Sequence, residues 1–208
     1  RIVVTWANEW EWMPHFQDWG ATFTEGWCGH YNIPREVKLV GDRLQFVPIR
    51  ELETLRKDPV VTEEIVLSDK AEKTQLTAGD GVIFELKFAV DLEKTDADQI
   101  ELELRCGGDK KTVCTFDLKN GELCVDMNHA DEWSHGISRS VLFLKGKKEL
   151  DVHIYSDQIS LEIFTDQYQN NHSSNIYPED TQNQIFIRSK GGNAVIRRIE
   201  SYGLCKCI

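Results

Sequence analysis

Hydrophobic and polar positions alternate along most of this chain, with little helical spacing. In VIFELKFAVDL, Val82, Phe84, Leu86, Phe88 and Val90 fall on one face, with Ile83, Glu85 and Lys87 on the other. That period of two predicts a strand with one face on a core. The same reading gives strands in VVTEEIVL, IELELRC, TVCTFDL, ELCVDM, VLFLKG, ELDVHIYSD, ISLEIFTD, NQIFIRS and AVIRRIESYGL. Polar loops are expected over 128–140 and between ISLEIFTD and NQIFIRS. Asn120-Gly121 predicts a type I′ hairpin turn, and Gly41-Asp42 a hairpin between Val37, Leu39 and Leu44, Phe46. Near the start, residues 2–13 alternate as one strand, with Ile2, Val4, Trp6, Asn8, Trp10 and Trp12 on a common face. Helical character is confined to Arg50–Lys57, where Leu52 and Leu55 stand three apart, and Asp58-Pro59 is expected to end it. Strands at roughly ten-residue spacing with polar turns predict an all-β fold, an antiparallel sandwich or barrel.

Composition narrows the partners. The 208 residues carry 24 Lys plus Arg against 35 Asp plus Glu, a formal charge of −11. That balance argues against a nucleic-acid or anionic-membrane surface, which needs clustered cations. No run approaches the ~18 apolar residues of a membrane-spanning helix. The six cysteines lack the tight spacing of a disulfide scaffold and read as reduced thiols, with Cys114 and Cys124 as small buried hydrophobes. This favours a cytoplasmic over a secreted setting.

Candidate chemistry is sparse. Glu9 and Glu11 share a strand face about 6.5–7 Å apart. A solvated face is the simpler reading. His129, Asp131, Glu132 and His135 form a polar loop cluster, and Cys205-Lys206-Cys207 a short thiol pair, but neither has a metal-site spacing. No metal or cofactor is expected. Asn171-His172-Ser173 fits a glycosylation acceptor, and Lys145-Gly146-Lys147-Lys148 a solvated hairpin tip. Five of the six tryptophans fall between Trp6 and Trp27, and their flat apolar faces suit the C–H faces of sugars.

Several segments carry a family resemblance in the right order. IPREVKLVGDRLQFVPIRELETLR (33–56) resembles the stretch that closes the catalytic domain of glycoside hydrolase family 32, the β-fructosidases. VTWANEW resembles that family's G-W-M-N-N-W strand, and WCGHYNIPRE its W-R-G-A-M-T-I-P-R-E. FDLKNGELCVDMNHAD and YSDQISLEIFTD…SSNIYP resemble its Y-D-x-x-x-x-x-L-x-V-D-R-x-x-S-G and D-R-S-S-V-E-I-F…R-I-Y-P signatures. The departures are Met127, where the family has Arg, and a longer segment over 14–26.

The resemblance implies a β-sandwich of the concanavalin-like, jelly-roll type, preceded by a remnant of a five-bladed propeller and a short linker helix. Residues 1–32 would be the last-blade remnant, 33–57 the closing strand, hairpin and linker helix, and 58–208 the sandwich. The family's W-M-N-D-P-N-G, R-D-P and E-C motifs, whose carboxylates perform retaining hydrolysis, do not occur here. They would lie upstream, so no catalytic residue is assigned and the chain alone is expected to be inactive. The expected partner is an upstream catalytic propeller, in the same gene or as a separate chain. By motif position, Trp6, Asn8 and Trp10 would sit near the funnel rim as substrate contacts. The alternative is packing between propeller and sandwich or in the blade core, which is also expected for Trp12, Trp19 and Trp27. Glu162 would face Phe164 and a structural partner such as Arg35 or Arg50. A second functional reading is a stand-alone carbohydrate-binding sandwich with exposed tryptophans, and the same region would support self-association.

Overall fold

The computed structural model describes residues 1–7 and 20–205. The expected strand over 2–13 is represented by β1 (Ile2–Val3) and a single bridge from Trp6 to Tyr31; its remainder lies outside the described residues. A four-residue helix α1 (Ala21–Thr24) follows. Strands β2 (Arg35–Val40) and β3 (Arg43–Pro48) form the expected hairpin, and Gly41 supplies the positive φ of its turn. A 3-10 turn over Arg50–Leu55 leads directly into β4 (Arg56–Leu67). Asp58-Pro59 therefore does not end the helix but lies inside a strand. Asp58 has φ 49° beside a register shift, and β4 is an edge strand, where proline's missing N–H costs no ladder bond.

The remaining strands are β5 (Thr74–Leu76), β6 (Phe84–Asp91), β7 (Gln99–Gly107), β8 (Lys110–Asp117), β9 (Glu122–Asp126), β10 (Ile137–Val141), β11 (Glu149–Ser156), β12 (Ser160–Thr165), β13 (Asn170–Asn175), β14 (Gln184–Lys190) and β15 (Ala194–Leu204). They form two six-stranded sheets, ordered β13-β12-β11-β6-β15-β4 and β10-β9-β8-β7-β14-β5. The third sheet is β1-β2-β3. Every named strand pair is antiparallel. The fold is an all-β antiparallel sandwich, one of the two architectures, sandwich or barrel, that the alternation predicts.

The core lies between the two large sheets. Phe84, Leu86, Phe88 and Val90 of β6 face Ile100, Leu102 and Leu104 of β7 and Cys114 and Phe116 of β8 in one cluster. Phe88 meets Phe116 edge to face across the sandwich, with centroids 6.0 Å apart and planes at 84°. Each such side chain fully withdrawn from water is worth about 1.5–3 kcal/mol. In β15 the inward positions step from Ile196 to Ile199, because Arg198 at φ 50° adds a bulge residue that resets the alternation.

Four local expectations are corrected. Asn120-Gly121 is not a type I′ turn: Asp117 pairs with Glu122, and only Gly121 takes positive φ. The Asp117 carboxylate accepts from the Asn120 backbone N–H at 2.8 Å and its amide at 2.9 Å, holding a longer loop. The strand expected in VLFLKG is instead Ile137–Val141, paired with β9, because ladder pairing decides where apolar content does not. The second polar loop contains β13, whose sequence NNHSSN has no apolar alternation but pairs with β12 along six residues. Cys114 is buried in the core, whereas Cys124 is partly exposed beside Arg139 and Glu122. No helix among the described residues is long and apolar enough to cross a membrane.

Truncation in this core is expected to be costly. Phe116→Ala should lower unfolding free energy by about 3–5 kcal/mol, while Leu39→Ala, at an exposed position, should change it by less than about 0.5 kcal/mol. Urea denaturation of both variants measures this, and equal losses would contradict the assignment of the core.

Candidate functional site

The sheet containing β6, β11 and β12 has an inner face in the core and an outer face that the sequence marks as polar. Glu85, Lys87, His153, Tyr155, Glu162 and Phe164 occupy that outer face. Nearly all are buried nonetheless. The segment from Asn32 to Arg56 covers them, and this junction is the candidate site.

At one end lies Glu162. Its Oε2 accepts from Arg35 Nη2 at 2.5 Å, and its Oε1 accepts from the Ile33 backbone N–H at 2.7 Å. The Arg35 guanidinium stands 5.2 Å from the Phe164 ring centroid and also donates to Ser173 Oγ at 3.1 Å. Asn32 Nδ2 donates to the same hydroxyl at 3.1 Å. Burial pushes the Glu162 carboxyl above its ordinary range, against the pull of Arg35 and the Ile33 N–H. Arg50 takes no part: it is exposed and its neighbour is Glu51 at 3.4 Å. The 3-10 geometry of Arg50–Leu55 keeps it within its own turn.

At the other end lies Glu85, fully buried. Arg56 grips it with two bonds, Nε at 2.6 Å and Nη2 at 2.7 Å. His153 Nε2 sits 2.8 Å from Glu85 Oε1, and His153 Nδ1 3.2 Å from the Tyr168 hydroxyl. Lys87 Nζ lies 3.2 Å away. Burial alone would raise this carboxyl, but the bonds from Arg56 and His153 and the charge of Lys87 hold it well below the usual carboxylate range. Burial lowers the pKa of His153, favouring the neutral ring, and raises that of Tyr155. A cleft of about 620 Å³ opens here, lined by Lys38, Arg56, Lys87, His153, Tyr155 and Tyr168 among others.

The turn between β12 and β13 clamps the hairpin from the side. Asp166, Gln167 and Tyr168 carry φ of 56°, 51° and 66°, three consecutive non-glycine residues in the left-handed region. Such residues cost about 1–2 kcal/mol each. In return the Tyr168 carbonyl accepts from Phe46 N–H at 2.8 Å, and Gln169 accepts from Arg43 at 3.1 Å.

Of the tryptophans, Trp6 is 41% exposed and packs beside Gly29, where a Cβ would stand 3.0 Å from the indole nitrogen. Trp27 donates to Glu25 at 2.8 Å and lines a cleft of about 500 Å³ with His30, Tyr31, Asp157 and Glu162. Asn8, Trp10, Trp12 and Trp19, with Glu9 and Glu11, lie outside the described residues, as do Lys206 and Cys207. The loop cluster separates: the Asp131 carboxylate accepts from Trp133, Ser134 and Tyr177 backbone N–H groups, while Glu132 pairs with Lys110. Among the described residues no three of His, Cys, Asp and Glu come together as a metal site. Asn171 lies within β13, and the Ser173 hydroxyl of that triplet accepts from Arg35 and Asn32.

Residues 51–203 match the family described as glycosyl hydrolases family 32 C terminal. The chain belongs to this family. Its curated relatives include sucrose-6-phosphate hydrolase of Zymomonas mobilis, 30% identical over 184 residues, matching 86% of this chain and 34% of that protein. Levanase of Bacillus sp. strain L7 is 24% identical over 214 residues, matching 98% of this chain and 22% of that one. The family 32 chain thus spans about a third or less of these relatives. Among solved structures, fructan 1-exohydrolase IIa of Cichorium intybus superposes with TM-score 0.81 at 14% identity, over 99% of this chain and 46% of that one. Exo-inulinase of Aspergillus awamori gives 0.79 at 19% identity, over 99% and 40%. Both alignments include the small sheet as well as the sandwich, so the family 32 fold extends across the junction.

Two predictions follow from the geometry of this family 32 junction. Arg35→Ala should cost about 3–5 kcal/mol, because it strands a buried carboxylate, whereas Arg35→Met with Glu162→Leu together should recover most of that loss. Urea midpoints of the two variants decide it, and a double variant no better than the single one would refute the buried-pair account. The second concerns acid. Because Glu85 is depressed in the folded state, its stabilisation is present above the ordinary carboxylate value of about 4.3 and is lost as pH falls below it. His153, also depressed, loses its contribution as pH falls below its ordinary 6.5. Urea midpoints should drop between pH 5 and pH 3, and Glu85→Gln should make that limb shallower while lowering stability at pH 7. An unchanged slope would exclude Glu85 as a source of the acid loss.

Proposed function

We propose that this chain is the C-terminal module of a β-fructofuranosidase and that it braces a catalytic propeller. The intact enzyme would release terminal β-fructofuranosyl groups, with retention, from sucrose, sucrose 6-phosphate or a fructan. In this reading residues 1–32 belong to the last blade, 33–57 join the two modules, and 58–208 form the brace. Arg35 and Glu162 then act as interdomain residues, while Arg50 lines the junction cleft without reaching Glu162. Trp6, Asn8 and Trp10 would touch sugar only when the propeller is present. The catalytic carboxylates would come from the propeller, leaving this chain without activity of its own.

The observation that supports this reading is the small sheet. Its β1 is only two residues long, so the small sheet is little more than a hairpin, which alone is marginal in water, and it is tied to the sandwich by the buried Arg35–Glu162 pair. Yet Ile2, Val4, Leu39, Val40 and Leu44 remain exposed on it. A catalytic blade packed there would cover them. The names of the relatives, sucrose-6-phosphate hydrolase and levanase, support this substrate class.

The test joins this chain to the N-terminal catalytic region of the Zymomonas relative in place of that protein's own C-terminal part. The chimera should release fructose from sucrose or sucrose 6-phosphate, and the 208-residue chain alone should not. Arg35→Ala in the chimera should shorten the half-life of activity at elevated temperature by about tenfold or more, corresponding to ~1.4 kcal/mol or more, with kcat nearly unchanged. A chimera that folds but releases no fructose would defeat the reading. Micromolar binding of fructan by the isolated chain in calorimetry would favour a carbohydrate-binding module instead.

A further inference from the structure

A cleft of about 510 Å³ lies beside the tip of the β2–β3 hairpin, bounded by Arg43, the turn over 118–121 and the segment over 142–147. Four cations line it: Arg43, Lys119, Lys145 and Lys147. No Asp or Glu does. In a chain with 35 acidic residues against 24 basic ones, such a convergence runs against the average surface.

The nearby carboxylates do not balance it. Asp166, behind the cleft, serves two cations at once, Lys147 and, at 3.7 Å, Arg43. Asp98 reaches Lys119 at 3.2 Å, with both groups exposed. Asp151 lies near enough to act on Lys147 by charge alone. Among the described residues no ion pair involves Lys145. Partial burial, and to a lesser extent the neighbouring Arg43, hold Lys147 below its ordinary pKa, with Asp151 opposing them. The floor is apolar: Leu118 and Leu144 pack on the core, Leu142 is buried, and Phe143 holds the Arg43 guanidinium 5.1 Å from its ring centroid. Low-dielectric walls strengthen the field of charges at such a rim. Arginine offers a fork that matches phosphate oxygens, and lysines add point charges.

We propose that this cleft binds a phosphate group, carried by inorganic phosphate or by a sugar phosphate, with Arg43, Lys119 and Lys145 as its direct contacts. Lys147, held by Asp166, fixes the position of the site and adds to its field. An incoming dianion relieves the repulsion among the four cations, which favours phosphate over chloride.

Calorimetric titration of the 208-residue chain, at ionic strength held constant with sodium chloride, tests this. Inorganic phosphate and glucose 6-phosphate should both give saturable heat, and glucose none. Equal affinities would mean that the phosphate group alone is recognised, and tighter binding of glucose 6-phosphate that the Phe143 ring adds a sugar contact; either supports the site. Lys119→Ala with Lys145→Ala, both at exposed positions, should weaken binding by about tenfold or more while the melting temperature without ligand stays near that of the parent. Arg43→Lys should also weaken binding, through loss of the fork. Absence of saturable heat up to about 10 mM phosphate, or undiminished binding by the double lysine variant, would overturn the assignment.

Discussion

A carboxylate withdrawn from water stays ionised only where a cation and hydrogen-bond donors hold fixed positions around it. Glu162 and Glu85 impose that condition on this molecule. Both sit on strands whose other face is already committed to the core. Arg35, the partner of Glu162, comes from β2 across the junction, whereas Arg56, the partner of Glu85, comes from the start of β4, the edge strand of Glu85's own sheet. The hairpin and the 3-10 turn are therefore not free to drift over the sheet, because any shift strands a buried charge. The attraction between the two layers is modest in itself. The penalty for separating them is large, and that asymmetry gives the junction its register.

The same logic explains where backbone strain is tolerated. Asp166, Gln167 and Tyr168 hold an unfavourable left-handed turn because its products are the bond to Phe46 and the placement of the Tyr168 ring against His153. Arg105, at φ 51° within a bulge of β7, is likewise fully buried. Its guanidinium donates to the carbonyls of Gln182 at 2.8 Å, Asp157 at 3.1 Å and Glu179 at 3.3 Å. A cation bound only by carbonyls is a costly device, and here it ties two connecting segments to one strand. The segment at Asp157 forms a wall of the Trp27 cleft, so the bulge of the second sheet positions part of the junction of the first.

Much of this fold was legible from alternation. Phe84, Leu86, Phe88 and Val90 announce the core face of β6, and the hairpin at Gly41-Asp42 lies where its turn residues place it. What was not legible shares one cause. β13 reads NNHSSN and has no apolar face to announce it; it exists because β12 offers an edge and because His172 and Ser174 are buried by neighbours distant in sequence. Glu85, Lys87, His153 and Tyr155 look like a solvated strand face, since polarity in a strand does not distinguish water from a charged partner. The pairing of Arg35 with Glu162 could be narrowed to a choice between two arginines, but only the geometry of the turn at Arg50–Leu55 separates them. Asn120-Gly121 misled because a local carboxylate, Asp117, outcompetes the dipeptide's preference.

A face that is polar in composition but buried in fact carries information about assembly. A sandwich sheet that ends at solvent needs no arginine laid over a buried glutamate such as Glu162, and an isolated domain would be free to replace the pair by apolar groups at little cost. Retaining charge here restricts the covering layer to one arrangement, which an apolar interface of similar area would not do. The small sheet is thus held in a defined orientation relative to the sandwich, while Leu39, Val40 and Leu44 on its free surface stay available. If the module braces a propeller as proposed, orientation is what it must transmit: a module that merely adhered would stabilise its neighbour, whereas one keyed by Arg35 also fixes where that neighbour's edge lies. On this argument the ion pairs matter less for how tightly the layers bind than for the single geometry in which they can.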